Sequence, residues 1–217
     1  MSVAAPPRLQ SPPGDEASFA AQTGATAAQT GDLLRFRDLL EDWNRRVNLV
    51  SDASLAEFWP RHAFDSAQIL PLAPAARVWA DIGAGAGLPG VVLAILLKET
   101  PGARVYLVES QARRCRFLEA AVEALGLPAV VCNARAEDLS LRVDAVTARA
   151  VAPLVKLLGF ARPLLAAGAV GFFLKGRNAE AELAEARGAW RFRCEIIASR
   201  SDVAGRILKV EGIARVR

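Results

Sequence analysis

The stretch Arg77–Gly90, R-V-W-A-D-I-G-A-G-A-G-L-P-G, constrains the fold more than any other part of the chain. Val78, Trp79, Ala80 and Ile82 form a short apolar run of the kind found in strands covered on both faces. Asp81 interrupts this run, and glycines follow at Gly83, Gly85, Gly87 and Gly90. Pro89 stands near the start of a second apolar run, Val91–Leu97, where a first-turn proline suits a helix. Strand, tight glycine turn and helix make the unit with which open α/β sheets hold nucleotide-like ligands. Such a turn needs glycine because positive φ and the close approach of a ligand to bare backbone both disfavour a Cβ.

The rest of the chain supplies a sheet around this unit. Residues 1–30, rich in Ala, Pro, Gln and Thr, read as a flexible tail with a transient helix over Glu16–Ala28. Residues 31–75 read as a helical cap. Gly31-Asp32 opens an amphipathic helix carrying Leu33, Phe36, Leu40, Trp43 and Val47, with Asp32 placed to cap it. Short helices over Ser54–Trp59 and Pro60–Leu70 follow. Residues 76–217 alternate strands and helices, the signature of βαβ units. Strands are predicted at Arg104–Val108 (ending at Glu109), Ala129–Cys132, Asp144–Thr147 and Ala169–Leu174. Helices are predicted at Gln111–Leu125, Val155–Leu165 and Ala179–Arg187. Two alternating stretches, Trp190–Ala198 and Arg206–Val216, close the chain as an antiparallel pair. The expected architecture is Rossmann-like α/β, a mostly parallel seven-stranded sheet with an antiparallel terminal hairpin and an N-terminal helical extension.

Composition excludes several classes. With 217 residues, 53% of them hydrophobic, the chain can bury one substantial core. Its longest apolar runs are far too short to span a bilayer, and its first thirty residues lack the basic start and apolar block of a secretory signal. Cys115, Cys132 and Cys194 are odd in number and widely spaced, which fits thiols in a reducing cytoplasm rather than a metal site or disulfide frame. The net charge of +4 permits an anionic partner. Eight basic residues fall between Arg187 and Arg217, Arg191 and Arg193 among them, against three acids. They suit phosphate contacts, or the ordinary protection of sheet edges. Arg113, Arg114 and Arg116 form a second basic group.

The glycines alone leave two ligand classes open. Gly85–Gly90 matches G-x-G-x-x-G, the dinucleotide pattern of NAD(P)-binding oxidoreductases. The acid ending the strand ahead of G-x-G-x-G resembles instead motif I of class I S-adenosyl-L-methionine (SAM)-dependent methyltransferases. A carboxylate at Asp81 suits a ligand with an ammonium group and would repel a pyrophosphate. Glu109, ending the second strand, can accept both ribose hydroxyls of an adenosine, or pair with Arg113 or Arg114. In such a fold the loop Asn133–Asp138 borders the adenine, with Ala136 offering backbone groups and Glu137 or Asp138 accepting from the exocyclic amine. Asp138 could equally be a turn cap. After the fourth strand, Thr147–Leu154 stands where the methyl acceptor would lie. That segment carries neither the [DNS]-P-P-[YFW] grip for an exocyclic amine nor a Pro-Cys nucleophile. It carries Arg149, able to hold a phosphate, a carboxylate or the acceptor edge of guanine, or to pair with Asp144 or Glu137.

Seven segments in register, N-L-V (48–50), R-H-A-F-D-S (61–66), D-I-G-A-G-A-G-L-P-G, S-Q-A-R-R-C-R-F-L, A-R-A-E-D, T-A-R-A-V-A-P-L and F-L-K-G, resemble the bacterial small-subunit rRNA methyltransferase G family, also called GidB. The resemblance implies N7 methylation of guanosine 527 in 16S rRNA, in the 530 loop, on naked RNA or a small-subunit particle or its precursor. By motif it places Gly83, Leu88, Ala136, Glu137 and Arg149 on SAM, with Asp81, Gly85, Gly87 and Glu109 completing the cofactor site. It places Arg61, His62, Asp65, Lys175 and Arg149 at the guanine site, and makes Arg149, His62 and Lys175 the candidates for chemistry. No metal is implied. Guanine N7 presents a lone pair and no proton, so methyl transfer needs orientation and electrostatics rather than a general base. His62, the only histidine, is therefore free to stack, to hydrogen-bond, or to cap its helix beside Asp65.

Overall fold

The computed structural model describes residues 11–216. Its centre is β1 (Val78–Ile82), flanked in parallel by β2 (Arg104–Glu109) and β4 (Ala145–Arg149). β3 (Ala129–Asn133) extends the sheet beyond β2, and β5 (Val170–Lys175) extends it beyond β4. The terminal pair, β6 (Trp190–Ala198) and β7 (Arg206–Arg215), is antiparallel, with β7 running against β5. The strand order is β3-β2-β1-β4-β5-β7-β6, the expected seven-stranded arrangement. It reverses direction of growth between β1 and β4, the switch point where α/β sheets open a ligand crevice at their strand C-termini.

Side-chain alternation explains why the sheet is buried on both sides. Trp79, Val105, Leu107, Phe172 and Ile207 face one apolar cluster. Ala80, Ile82, Val108, Val146, Phe173 and Leu208 face the other. Helices α5 (Gly90–Leu96) and α6 (Ala112–Leu125) supply the first cluster, and α7 (Leu154–Ala166) and α8 (Ala179–Ala189) the second. Asp144, at the entrance to β4, accepts the backbone N–H groups of Arg77 and Val78, both at 2.8 Å, and so fixes the start of β1.

The N-terminal region differs from the tail-and-cap division read from sequence. Residues 1–10 of the expected tail lie outside the described residues. Glu16–Thr23 is a formed helix, α1, closed at its start by a reciprocal capping box between Asp15 and Ser18. Phe19 is completely buried, with its ring centroid 5.3 Å from that of Trp59. Phe19 is the one large apolar residue of this helix, and Glu16 Oε1 adds a second tie by accepting the Thr30 hydroxyl at 2.6 Å. The next helix, α2 (Ala27–Val47), starts earlier than Gly31 because Thr26 and Gln29 form its capping box. Asp32 is therefore no cap. It is buried mid-helix, ion-paired with Lys98 at 2.9 Å and hydrogen-bonded to Arg35.

The cap then descends toward the crevice. α2 ends on Asn48 in the left-handed conformation, and the side-chain Oδ1 of Asn44 accepts from the N–H groups of Leu49 (2.7 Å) and Val50 (3.0 Å). α3 (Asp52–Ala56), capped by Ser51, is shorter than the predicted helix over Ser54–Trp59. The third predicted helix is a π-helical turn, Trp59–Phe64, running into one turn of α-helix, α4 (Asp65–Ala67). Wider π turns re-aim side chains and are common at functional sites. This one carries Arg61 and His62, with Asp65 at the start of α4.

If α1 is part of the folded unit, Phe19→Ala should lower its unfolding free energy by about 3–5 kcal/mol, the usual cost of emptying a buried Phe site. Urea titration followed by tryptophan fluorescence measures this. A free tail would leave the midpoint where it was.

Candidate active site

The glycine turn forms one wall of the crevice. Gly83, Gly85 and Gly87 all have positive φ (67°, 52° and 77°). A Cβ on Gly85 would meet only the Gly83 carbonyl oxygen, at 3.6 Å, so its open side faces the crevice and not a packed neighbour. Gly90 is the opposite case: a Cβ there would lie 2.6 Å from Asp81 Oδ2. This closeness lets the Gly90 N–H donate to Asp81 Oδ2 at 2.8 Å. Asp81 is fully buried, and its Oδ1 has no partner among the described residues. Burial pushes its pKa up to about 7, opposed by the Gly90 hydrogen bond and by Arg149.

Glu109 lies beneath the same turn. Its Oε2 accepts from the Gly85 N–H at 3.1 Å and its Oε1 from the Gln111 N–H at 2.8 Å, while Arg114 stands 3.9 Å away. The carboxylate thus holds the glycine turn to the end of β2. Each of its oxygens keeps acceptor capacity for a ribose hydroxyl.

The facing wall is built on Arg149, the last residue of β4. Its Nη1 donates to the Arg61 carbonyl oxygen (2.7 Å) and to Asp65 Oδ2 (3.0 Å), and its Nη2 reaches His62 Nδ1 (3.2 Å). The next residue, Ala150, has φ +56°, a left-handed conformation unusual for a residue with a side chain. Neither salt-bridge partner considered from sequence is used: Asp144 is occupied at the start of β1, and Arg149 turns to the cap. Asp65 is itself held from behind. Ser201 Oγ donates to its Oδ1 at 2.5 Å and Gln68 Nε2 at 3.0 Å. Gln68 also bonds Ser199 Oγ and the Arg200 N–H.

His62 does not cap a helix. Only 4% of it is exposed, and its ring lies edge-on to Phe58. A guanidinium has only donors, so Nδ1 must be the acceptor and the proton must sit on Nε2. Burial, then the charge of Arg149, lowers its pKa from 6.5 to about 4. Lys175, at the end of β5, donates to the Ala152 carbonyl oxygen and to Glu182 Oε2, each at 2.7 Å. Glu182 also accepts the Leu154 N–H at 2.7 Å, so the pair clamps the loop after β4.

Between the walls lies a crevice of about 1160 Å³, lined by Gly83, Gly85, Leu88, Arg61, His62, Asp65, Arg149 and Lys175 among others. That exceeds the roughly 300–1,000 Å³ of a typical single-ligand site and has room for a cofactor and a nucleotide together. Other candidate residues stand elsewhere. Gly87 belongs to the turn but is packed against Val91 and Leu118, while Asp81 and Glu109 lie beneath the turn, with the fully buried Asp81 directed at Gly90 at the start of α5. Ala136 is buried in a 3-10 turn after β3, with Glu137 exposed beside it. Arg191 and Arg193 are not brought to the crevice. Arg193 is registered with Glu211, and Gly171 at the start of β5 with Val210, whereas the crevice lies at the Lys175–Arg206 end. Positive charge density in the sequence does not tell which end of a hairpin it occupies. Conversely Gln68, Ser199, Ser201, Glu182 and Ala150 shape the site without having been singled out. Ala150 falls within the quoted segment T-A-R-A-V-A-P-L, and the polar turn S-R-S-D at 199–202 is the local signal that could have pointed to Ser199 and Ser201.

Among the described residues, no group of His, Cys, Asp and Glu gathers as a metal cluster, and no helix is long and apolar enough to cross a membrane. The three cysteines are free, and burial raises all three thiol pKa values.

Comparison with known proteins shows the family. A family model described as GidB, rRNA small subunit methyltransferase G, matches residues 29–203. A protein of Caulobacter vibrioides named ribosomal RNA small subunit methyltransferase G is 60% identical over 203 residues, covering 94% of each chain. One of the same name from Parvibaculum lavamentivorans is 44% identical over 203 residues, covering 92% of this chain and 90% of its own. Among solved structures, magnesium protoporphyrin IX methyltransferase from Synechocystis with bound SAM superposes with a TM-score of 0.53. The two share 18% identity over 87% of this chain and 99% of that one, a likeness of fold.

The lowered His62 pKa has a definite sign. The unfolded chain takes up this proton near pH 6.5 and the folded one only near 4, so stability contributed here is lost as pH falls between those values. As the only histidine in the sequence, its imidazole gives one set of NMR signals. These should report the Nε2–H tautomer and remain untitrated down to about pH 5. A transition near 6.5 would contradict the buried Arg149 contact.

Proposed function

Because the chain belongs to the rRNA small subunit methyltransferase G family, we propose that it methylates N7 of guanosine 527 in 16S rRNA, with SAM as donor. It acts in the cytoplasm, on naked RNA or on a small-subunit particle or its precursor. The observation that carries this reading is the pairing of two walls across one crevice. One is an open glycine turn over a buried carboxylate. The other is an arginine fixed at the end of β4 with part of its guanidinium uncommitted.

The residues fit SAM on their own chemistry. A side chain on Gly85 would fill space that backbone now leaves open. Glu109, held at both oxygens by backbone N–H groups, stands at the end of β2 where a ribose would be received. When bound, SAM supplies a methyl group already activated by its sulfonium.

The chain's task is then orientation. Three of the five N–H donors of Arg149 are committed to Arg61, His62 and Asp65, leaving Nε–H and one hydrogen on Nη2. That edge suits a carboxylate or guanine O6. It leaves the N7 lone pair free, provided O6 alone is held. His62 is neutral and buried, which suits an acceptor atom with no proton to remove. Transfer would move positive charge toward the base, and Asp65 on the Arg149 side and Glu109 beside the glycine turn are acids placed to stabilise it.

Two measurements test the proposal. Mass mapping of 16S rRNA from a strain lacking this chain should show guanosine 527 without its N7 methyl group. Wild type should restore it, and Gly85→Val, which places a branched side chain where φ is +52°, should not. Calorimetry should find SAM binding by wild type and none by a folded Gly85→Val. Retention of the methyl group in the deletion strain would overturn the assignment of substrate. Undiminished SAM affinity in the variant would remove the glycine turn from the site.

A further inference from the structure

We propose that Ser201, in the loop between β6 and β7, is a positioning residue for methyl transfer that acts through Asp65 on Arg149. The inference rests on the reading of Arg149 given above. It begins from the way one carboxylate is shared. Asp65 Oδ2 takes Arg149, while its Oδ1 takes the Ser201 hydroxyl at 2.5 Å and the Gln68 amide at 3.0 Å. A carboxylate turns about its Cβ–Cγ bond unless both oxygens are engaged. Ser201 and Gln68 supply that second engagement from behind.

The loop is itself fixed. Ser199 and Ser201 share a hydroxyl contact of 2.8 Å, and Gln68 reaches from the cap to Ser199 and to the backbone of Arg200. The Ser199 N–H donates to the Gly205 carbonyl oxygen, and Asp202 closes the turn by accepting from Ala204 and Gly205. The chain therefore joins the C-terminal hairpin, the helical cap and the end of β4 at a single point beside the crevice. Ser201 sits 136 residues from Asp65 in sequence, so nothing local requires their contact. With both oxygens held, Arg149 has one orientation, and its uncommitted Nε–H and Nη2–H edge has one direction.

A Thr and Val pair at position 201 tests this, since the two side chains share a shape and differ in the hydroxyl. Single-turnover methylation of 16S rRNA at saturating SAM and RNA should stay within about twofold for Ser201→Thr. It should fall about tenfold for Ser201→Val, the scale of a lost hydrogen bond to a charged group. The RNA concentration at half saturation should hold for both. In an Arg149→Lys background the Ser201→Val effect should disappear, because its route is gone. An equal loss in both backgrounds, or a loss appearing only as weaker RNA binding, would overturn the proposal in favour of a structural role or a direct RNA contact. A second readout needs no substrate. The Arg149 side-chain NMR signals should show hindered rotation in wild type and Ser201→Thr and averaging in Ser201→Val; unchanged signals in Ser201→Val would overturn the proposal. A wild type that transfers no methyl group would refute the functional reading, and the NMR comparison would still decide the role of Ser201.

Discussion

The ion pair between Arg149 and Asp65 is the interaction on which the site depends. It ties the last residue of the β4 strand to the first residue of a helical turn 84 positions earlier, and both side chains are about four-fifths buried. A charged pair buried to this degree is retained at some cost in desolvation, and removing either partner would strand the other. Its geometry is over-determined. The guanidinium is also held by a carbonyl and a neutral imidazole, and the carboxylate by a hydroxyl and an amide. The left-handed Ala150 that follows belongs to the same arrangement, since strained backbone persists only where surroundings enforce it.

The opposite wall works by a different principle. There the sequence removes side chains instead of adding them. Gly90 lets α5 approach close enough to donate to Asp81, and Gly85 leaves its outer side clear. The two carboxylates beneath the turn, Asp81 and Glu109, are engaged by backbone N–H groups. They serve first as the mould in which the turn is cast. The two walls thus separate tasks: backbone shapes the glycine-turn side, which the proposed function gives to the cofactor, and side-chain ions shape the Arg149 side, which it gives to the acceptor.

This division explains what was legible in the sequence. The glycine turn and the strands were readable because glycine spacing and apolar periodicity are local signals. The place of Arg149 after the fourth strand was readable from chain order. Its partner was not, because Asp144, Glu137 and Asp65 are equally plausible acids until tertiary structure brings the cap down onto the sheet. Asp32 shows the same limit: beside Gly31 it looks like a helix cap, yet Lys98, 66 residues away, accounts for its burial. In the segment before α2, composition concealed structure, since Phe19 is its one large apolar anchor among the described residues. Arg191 and Arg193 show a related limit: their charge suits phosphate contacts, but charge density does not tell that they lie toward the end of the hairpin away from the crevice.

In the proposed reaction one crevice holds the cofactor against Gly85 and the target guanine against Arg149, in line. A crystal structure with S-adenosylhomocysteine and an RNA fragment containing the target guanosine tests it most directly. The cofactor sulfur should lie above the glycine turn and O6 of an unstacked guanine on the free edge of Arg149. N7 should then point along the line on which the methyl group would be transferred, about 3–3.5 Å from its expected position. A cofactor bound away from Gly85, or a guanine presenting another atom to the sulfur, would contradict it.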